Sequence, residues 1–227
     1  MRDRRIMAAA LLAPLLSAIV GLSRGEPTRG QTSDAKVTKS RFAEARATPE
    51  RSPSVFEFEL SGFAYRIKSN GAGLRSGSGR PRPFNLLLGR ESIGRVYFSE
   101  YEGNVLLVCA VSEDESESGF VARLEQPSMR AKWKREIAAP NVGVPLRAGR
   151  ELYVTAEGFV ARIDLETGDY AWKHEELSGR GVEGAFNSFA EPALEGDSVL
   201  FREAGLYNRP ARTIRVNRRT GEILSIE

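Results

Sequence analysis

Residues 158–173 read GFVARIDLETGDYAWK, and residues 119–134 read GFVARLEQPSMRAKWK. Phe120, Val121, Ala122 and Arg123 match Phe159, Val160, Ala161 and Arg162 one for one. Gly119 stands as far before Trp133 as Gly158 stands before Trp172. A third, partial copy closes the chain as TIRVNRRTGEIL, residues 213–224. There Arg215, Val216, Asn217, Thr220 and Gly221 fall where the second copy has Arg162, Ile163, Asp164, Thr167 and Gly168, and Ser225 takes the tryptophan position. A sentence repeated at intervals of roughly 40–50 residues marks stacked supersecondary units.

The second copy shows how one unit is built. In FVARID, a period of two puts Phe159, Ala161 and Ile163 on one side and Val160, Arg162 and Asp164 on the other. DLETGD then turns the chain. Asp164 can accept hydrogen bonds from amides two or three residues on. Gly168 can take the positive φ that a turn with a bulge requires. YAWK returns antiparallel. A small sheet that is apolar on both faces cannot stand alone, so each unit must stack on a like neighbour.

The stretch ELYVTAEGFVARIDLETGDYAWKHEEL, residues 151–177, resembles a repeat of the pyrroloquinoline-quinone-like β-propeller family. The residues that carry the resemblance are Gly158, Ala161, Asp164, Thr167, Gly168 and Trp172. The first copy matches more weakly, with EQPSMR in place of the Asp and Thr-Gly turn, and the third is partial. The resemblance implies that Trp133 and Trp172 dock one blade on the next. It makes Gly119, Trp133, Gly158, Asp164, Thr167, Gly168, Trp172 and Gly221 structural anchors of the repeats. The family's propellers have seven or eight blades, whereas this chain has room for about four. The expected fold is therefore all-β: stacked four-stranded antiparallel blades in a small, about four-bladed or incomplete β-propeller.

Short strand patterns fill the rest of the body and recur with turn residues between them, as an all-β domain requires. SVFEFEL and FAYRIKS, joined by Ser61-Gly62, predict a hairpin with a two-residue connection. SNGAGLRSGSGRPRP, residues 69–83, reads as a Gly/Ser/Pro-rich loop. The acidic run SEDESES, residues 112–118, reads as a lengthened, solvated hairpin tip.

The 227-residue chain carries a formal charge of +3, and four arginines against one aspartate in residues 1–25 account for all of it. The body is neutral, so it has little global attraction for nucleic acid or an anionic membrane. The leader itself has three parts: basic MRDRR, an apolar run from Ile6 to Leu22, and small residues in SRG. This is the form of a signal peptide over residues 1–25, and it implies a periplasmic or secreted protein with no stable membrane span after cleavage. An uncleaved N-terminal membrane anchor is the alternative. Residues 26–52 are polar and without a sustained apolar period, so they read as a disordered tether before a propeller-like domain at 53–227.

No catalytic constellation stands out. Cys109 is the single cysteine and lies in the apolar run VLLVCAV, where it reads as a small buried hydrophobe. His174 is the single histidine and has no second histidine or cysteine to share a metal with. Neither catalytic, cofactor-binding nor metal residues are assigned, and no cofactor is expected. Glu175-Glu176, or Glu57 with Glu59, would serve a glycan-acting enzyme only if the fold made them converge. Arg212, Arg215, Arg218 and Arg219 form a candidate patch for an anionic ligand. The leading expectation is an exported, non-catalytic scaffold or assembly factor that binds an envelope protein, with oligomerisation open to it if the propeller is incomplete. The resemblance supports this, because the family includes an interaction subunit of outer-membrane assembly machinery.

Overall fold

The computed structural model describes residues 39–48, 54–175, 177, 186–204 and 210–227. The expected signal peptide, residues 1–25, and residues 26–38 and 49–52 of the expected tether lie outside them. The chain opens with three very short strands, β1 (Lys39–Arg41), β2 (Ala43–Glu44) and β3 (Arg46–Thr48). The first blade follows as β4 (Val55–Leu60), β5 (Phe63–Lys68), β6 (Ala72–Ser76) and β7 (Arg82–Asn85). The second is β8 (Ser92–Tyr101), β9 (Asn104–Glu113), β10 (Ser116–Leu124) and β11 (Ala131–Ile137). The third is β12 (Leu146–Ala148), β13 (Glu151–Ala156), β14 (Phe159–Asp164) and β15 (Tyr170–His174). The fourth is β16 (Ala193–Glu195), β17 (Ser198–Arg202), β18 (Thr213–Asn217) and β19 (Ile223–Ile226). Every ladder is antiparallel between consecutive strands of a blade. Among the described residues, no helix is long and apolar enough to cross a membrane.

Three apolar clusters lie between consecutive sheets. The first joins Phe56, Tyr65 and Ile67 of blade one to Val105, Leu107 and Cys109 of blade two. The second joins Leu106, Val108 and Val121 of blade two to Leu152, Val154 and Ile163 of blade three. The third joins Tyr153, Val160 and Trp172 of blade three to Val199, Phe201, Ile214 and Val216 of blade four. Adjacent residues of β9 thus enter different clusters, because its sheet is covered on both faces. This is why VLLVCAV lacks alternation, and it places Cys109 in a fully buried site, where burial pushes its thiol pKa up. The three clusters thus join blade one to two, two to three and three to four, the stacked blades of a β-propeller architecture.

The tether reading is corrected for residues 39–48. This segment is a thread across three blades. β3 pairs with β4, β2 with β8 and β1 with β12, adding a fifth strand to the leading edge of each sheet. Phe42 and Ala45 sit at the joints between these strands; Phe42 enters the second core cluster and Ala45 the first. The segment hid its strands because each is only two or three residues long and takes its hydrogen bonds from a different sheet.

The loop reading of residues 69–83 is likewise corrected, since β6 and β7 complete the first blade there. Gly73 serves close packing: a Cβ on it would stand 2.2 Å from the Phe84 ring. The acidic run proves to lengthen the strands rather than the loop, leaving only Asp114 and Glu115 at the tip between β9 and β10. The hairpin at Ser61-Gly62 forms as expected, with positive φ at both turn residues.

If the thread is part of the folded body, Phe42→Ala should cost about 3 kcal/mol, the range for emptying a buried aromatic site. A thermal melt checks it, because the same change in a tether would leave the curve where it was.

Candidate functional site

The residues that the repeats share converge on the joints between blades. At the joint of blades two and three, Arg123 Nη1 donates to the carbonyl of Leu165 at 2.9 Å, and Trp133 Nε1 donates to the same oxygen at 3.1 Å. At the joint of blades three and four, Arg162 Nη1 and Trp172 Nε1 meet on the carbonyl of Arg218 at 2.6 and 2.9 Å. Blade one has no tryptophan on β7, but Arg75 on β6 still donates to the carbonyl of Pro127 at 2.9 Å. In all three cases an arginine on the third strand of a blade reaches the turn between the third and fourth strands of the next.

The turns that receive these side chains are shaped by their own sequence. Asp164 accepts from the amides of Glu166 and Thr167 at 2.7 and 3.4 Å, and Gly168 N closes the turn onto Asp164 O at 2.8 Å. Burial works to raise the Asp164 pKa, but those two amides and Arg150 outweigh it and hold the carboxyl below its ordinary value. Asn217 repeats the pattern with the amides of Arg219 and Thr220. Thr167 and Thr220 accept from the amides of Asp169 and Glu222. Gly168 and Gly221 have φ of 76° and 79°, and each lies under the tryptophan of the preceding blade. A Cβ on Gly168 would stand 2.5 Å from Trp133, and one on Gly221 2.6 Å from Trp172. Only glycine satisfies both the backbone and the contact.

The repeat glycines Gly119 and Gly158 turn out to differ. Gly158 is a turn residue with positive φ. Gly119 lies within β10, where a Cβ would meet Val142 at 2.4 Å and the Cys109 carbonyl at 2.7 Å.

Each of the two later joints also holds a partly buried polar cluster. Arg123, 2% exposed, binds Glu166 at 3.3 Å and Glu102 at 3.1 Å and lies 4.8 Å from the Tyr101 ring centre. The Tyr101 hydroxyl donates to Glu166 at 2.8 Å. One blade on, Arg162 and Arg218 share Glu151 at 3.1 and 2.6 Å, and the Tyr153 hydroxyl donates to it at 2.6 Å. Burial, reinforced by the carboxylate beside each, raises both tyrosine pKa values. The hydrogen bond from Tyr101 leads the causes that lower the Glu166 pKa. With their tyrosines kept protonated at neutral pH, the clusters hold one blade to the next.

The candidate arginine patch does not assemble. Arg212 makes a bidentate pair with buried Glu203, at 3.0 Å for both Nε and Nη2, and stacks 3.7 Å over Phe186. Arg215 pairs with Glu195 of its own blade at 3.0 Å, while Arg218 turns back to blade three. The Arg219 backbone N–H donates to Asn217 Oδ1 at 2.9 Å. Strand alternation and the turn send the four in different directions, and three of them hold different carboxylates. Glu57 pairs with Arg66 at 2.7 Å and Glu175 with Lys173 at 2.7 Å, while Glu176 lies outside the described residues. His174 Nε2 donates to the Gly221 carbonyl at 2.6 Å. Among the described residues, no three His, Cys, Asp or Glu side chains gather as a metal-binding group. Sequence reading missed Arg75, whose only signal was an arginine inside a glycine-rich stretch. It also missed Glu203, which nothing in the local pattern marks.

A family model described as outer membrane protein assembly factor BamB matches residues 92–225. Among solved structures, the crystal structure of BamB from Moraxella catarrhalis matches at 11% identity with a TM-score of 0.48, covering 83% of this chain and 67% of that chain. No curated protein matches.

Two predictions follow from the geometry. Trp172 is 8% exposed and Trp133 is half-buried, so Trp172→Ala should cost about 3–5 kcal/mol and Trp133→Ala less, as read from denaturant melts. Burial alone would raise the Glu203 pKa, but the Arg212 side chain and two backbone amides outweigh it and bring it down to about 2. A folded-state value below the unfolded one stabilises the protein above the unfolded pKa. That stability is lost as pH falls from the ordinary glutamate range towards 2, and it amounts to about 3 kcal/mol. Comparing acid melts of the native protein and Glu203→Gln should show a shallower decline in the variant.

Proposed function

Because the chain belongs to the BamB-like family of PQQ-type β-propeller repeat proteins, we propose that it is a non-catalytic interaction scaffold or assembly factor of the cell envelope. One observation carries this reading: the polar side chains that the repeats share are taken up in joining blades. Arg75, Arg123 and Arg162 each end on a turn carbonyl of the next blade. What the fold offers outward is connections and hairpin tips, and these suit a protein partner. Leu88, between β7 and β8, is fully exposed although Leu86 and Leu87 beside it are buried. The tip at Asp114 and Glu115 is exposed and acidic. The basic, apolar and small-residue leader supports export.

The partner is an envelope protein, and photo-cross-linking in the living cell would capture it. With a photoreactive amino acid at position 88 or 115, a discrete adduct with an envelope protein is expected, identified by mass spectrometry. Absence of any adduct at both positions, together with hydrolysis of envelope glycan by the purified protein, would replace the scaffold with an enzyme. The mass of the exported protein should show residues 1–25 removed; an intact Met1 in the membrane fraction would mean an anchor.

A further inference from the structure

The outer edge of blade four differs from those of the other blades. β19 pairs with β18 on one side, and among the described residues no strand pairs with it on the other. An outer strand presents unpaired main-chain groups, and charged side chains or proline keep other chains off it. Blade one sets Arg82 and Pro83 in β7, blade two Lys132 and Lys134 in β11, and blade three Lys173 in β15. β19 reads Ile223, Leu224, Ser225 and Ile226, with no such residue. The repeat shows the exchange at one position: a lysine follows Trp133 and Trp172, whereas Ile226 follows Ser225. Leu224 is 48% exposed and, with Leu88, is one of the two exposed large hydrophobic side chains among the described residues. Ile223 and Ile226 pack on the third cluster and hold the strand in place.

The main chain of this edge complements itself. Glu227 exchanges both main-chain bonds with Thr213, at 2.8 and 3.0 Å, and Ser225 stands opposite Arg215 two residues earlier. Bonding groups alternate sides along an antiparallel strand. The N–H and C=O of Ile226 and the carbonyl of Leu224 therefore point away from β18.

We propose that β19 pairs antiparallel with β19 of a second copy of this chain, about a two-fold axis at Ser225. In that register the Ile226 N–H of each copy donates to the Leu224 carbonyl of the other. A two-fold contact needs one patch that complements itself, and a donor and an acceptor two residues apart on one strand meet that need. Leu224 of one copy lies beside Ile226 of the other, which takes exposed apolar surface out of water. Glu227 stands opposite Ile223 of the other copy. A slip of one residue would set Glu222 against Glu227, and like charges directly opposite destabilise a strand pair. The contact is smaller than a standard stable interface, so a weak dimer is expected, with Kd about 10–100 µM. A strand of a different protein is the competing occupant, and the test separates the two. The inference stands on the strand edge and does not rest on the envelope reading.

The test is sedimentation velocity of the full protein from about 1 to 200 µM, a range that spans the expected Kd. A reversible monomer–dimer equilibrium is expected. Ile226→Lys restores the lysine that blades two and three carry, so it should keep the melting curve and weaken the dimer roughly ten-fold or more. Should that variant fail to fold, Ser225→Cys gives an independent measurement. Across the two-fold axis position 225 forms a non-hydrogen-bonded pair, with Cα atoms about 4.5 Å apart, within reach of a disulfide. The native Cys109 is fully buried. Mild oxidation should join two copies of Ser225→Cys and leave Ser128→Cys, on an exposed turn of blade two, unjoined. A monomer at every concentration with no cross-link through position 225, or a dimer that Ile226→Lys leaves intact, would overturn the proposal. So would a mixed disulfide of Ser225→Cys with a different protein in the cell in place of the joined copies. Positions 88 and 115 lie on other blades, so the cross-linking outcome and this one fail separately.

Discussion

The fold depends on a backbone carbonyl that each blade offers to the one before it. Pro127, Leu165 and Arg218 present that oxygen, and Arg75, Arg123 and Arg162 meet it. A carbonyl in a turn cannot be paired by its own sheet, so it must find a donor elsewhere or face water. Here the donor is a guanidinium, which strengthens the bond. In the last two joints a tryptophan N–H shares the oxygen, and the ring covers the turn glycine. The apolar clusters supply most of the attraction between sheets, but they are non-directional. The carbonyl and its donors set the register of one blade on the next.

The thread solves a different problem. The leading strand of each sheet would present an unpaired edge, a template for unwanted association. One segment of ten residues covers part of three such edges, with Phe42 and Ala45 pinned in two separate cores. The first three blades are thereby joined twice: face to face through side chains and turns, and along their leading edges through main chain. In blade four, Arg215 occupies the position of Arg162 and, like it, pairs with a glutamate of its own sheet, Glu195.

Much of this was legible in the sequence, and what was hidden has physical reasons. The repeat GFVAR with its tryptophan pointed to stacked blades, and the family match over residues 92–225 agrees with the resemblance read from it. Alternation in FVARID separated Phe159, Ala161 and Ile163, which enter the second cluster, from Val160, which enters the third. The first blade was half invisible because β6 and β7 run through glycine and proline, which look like loop composition, although Gly73 serves close packing on Phe84. The thread was invisible because periodicity needs length, and strands of two or three residues have none. The polar partners of the joints were beyond reach for another reason. Arg123 with Glu166 and Arg212 with Glu203 pair across distances in the chain that only the finished fold closes.

The direction of the thread fixes an order of assembly. The blades are laid down from first to fourth, but the thread contacts them backwards. Arg46 pairs with Glu57, Ala43 with Phe98, and Ser40 with Arg147. A chain emerging from its N-terminus can close the first of these pairs early, within a short loop. The second waits for the second blade, and the last waits until β12 has been delivered. Each closure shortens the loop that the next must span, so loop-closure entropy is met in small steps instead of one large one. The thread, made before all four blades, is therefore completed late, and it works as a zip fastener drawn from the near end to the far one.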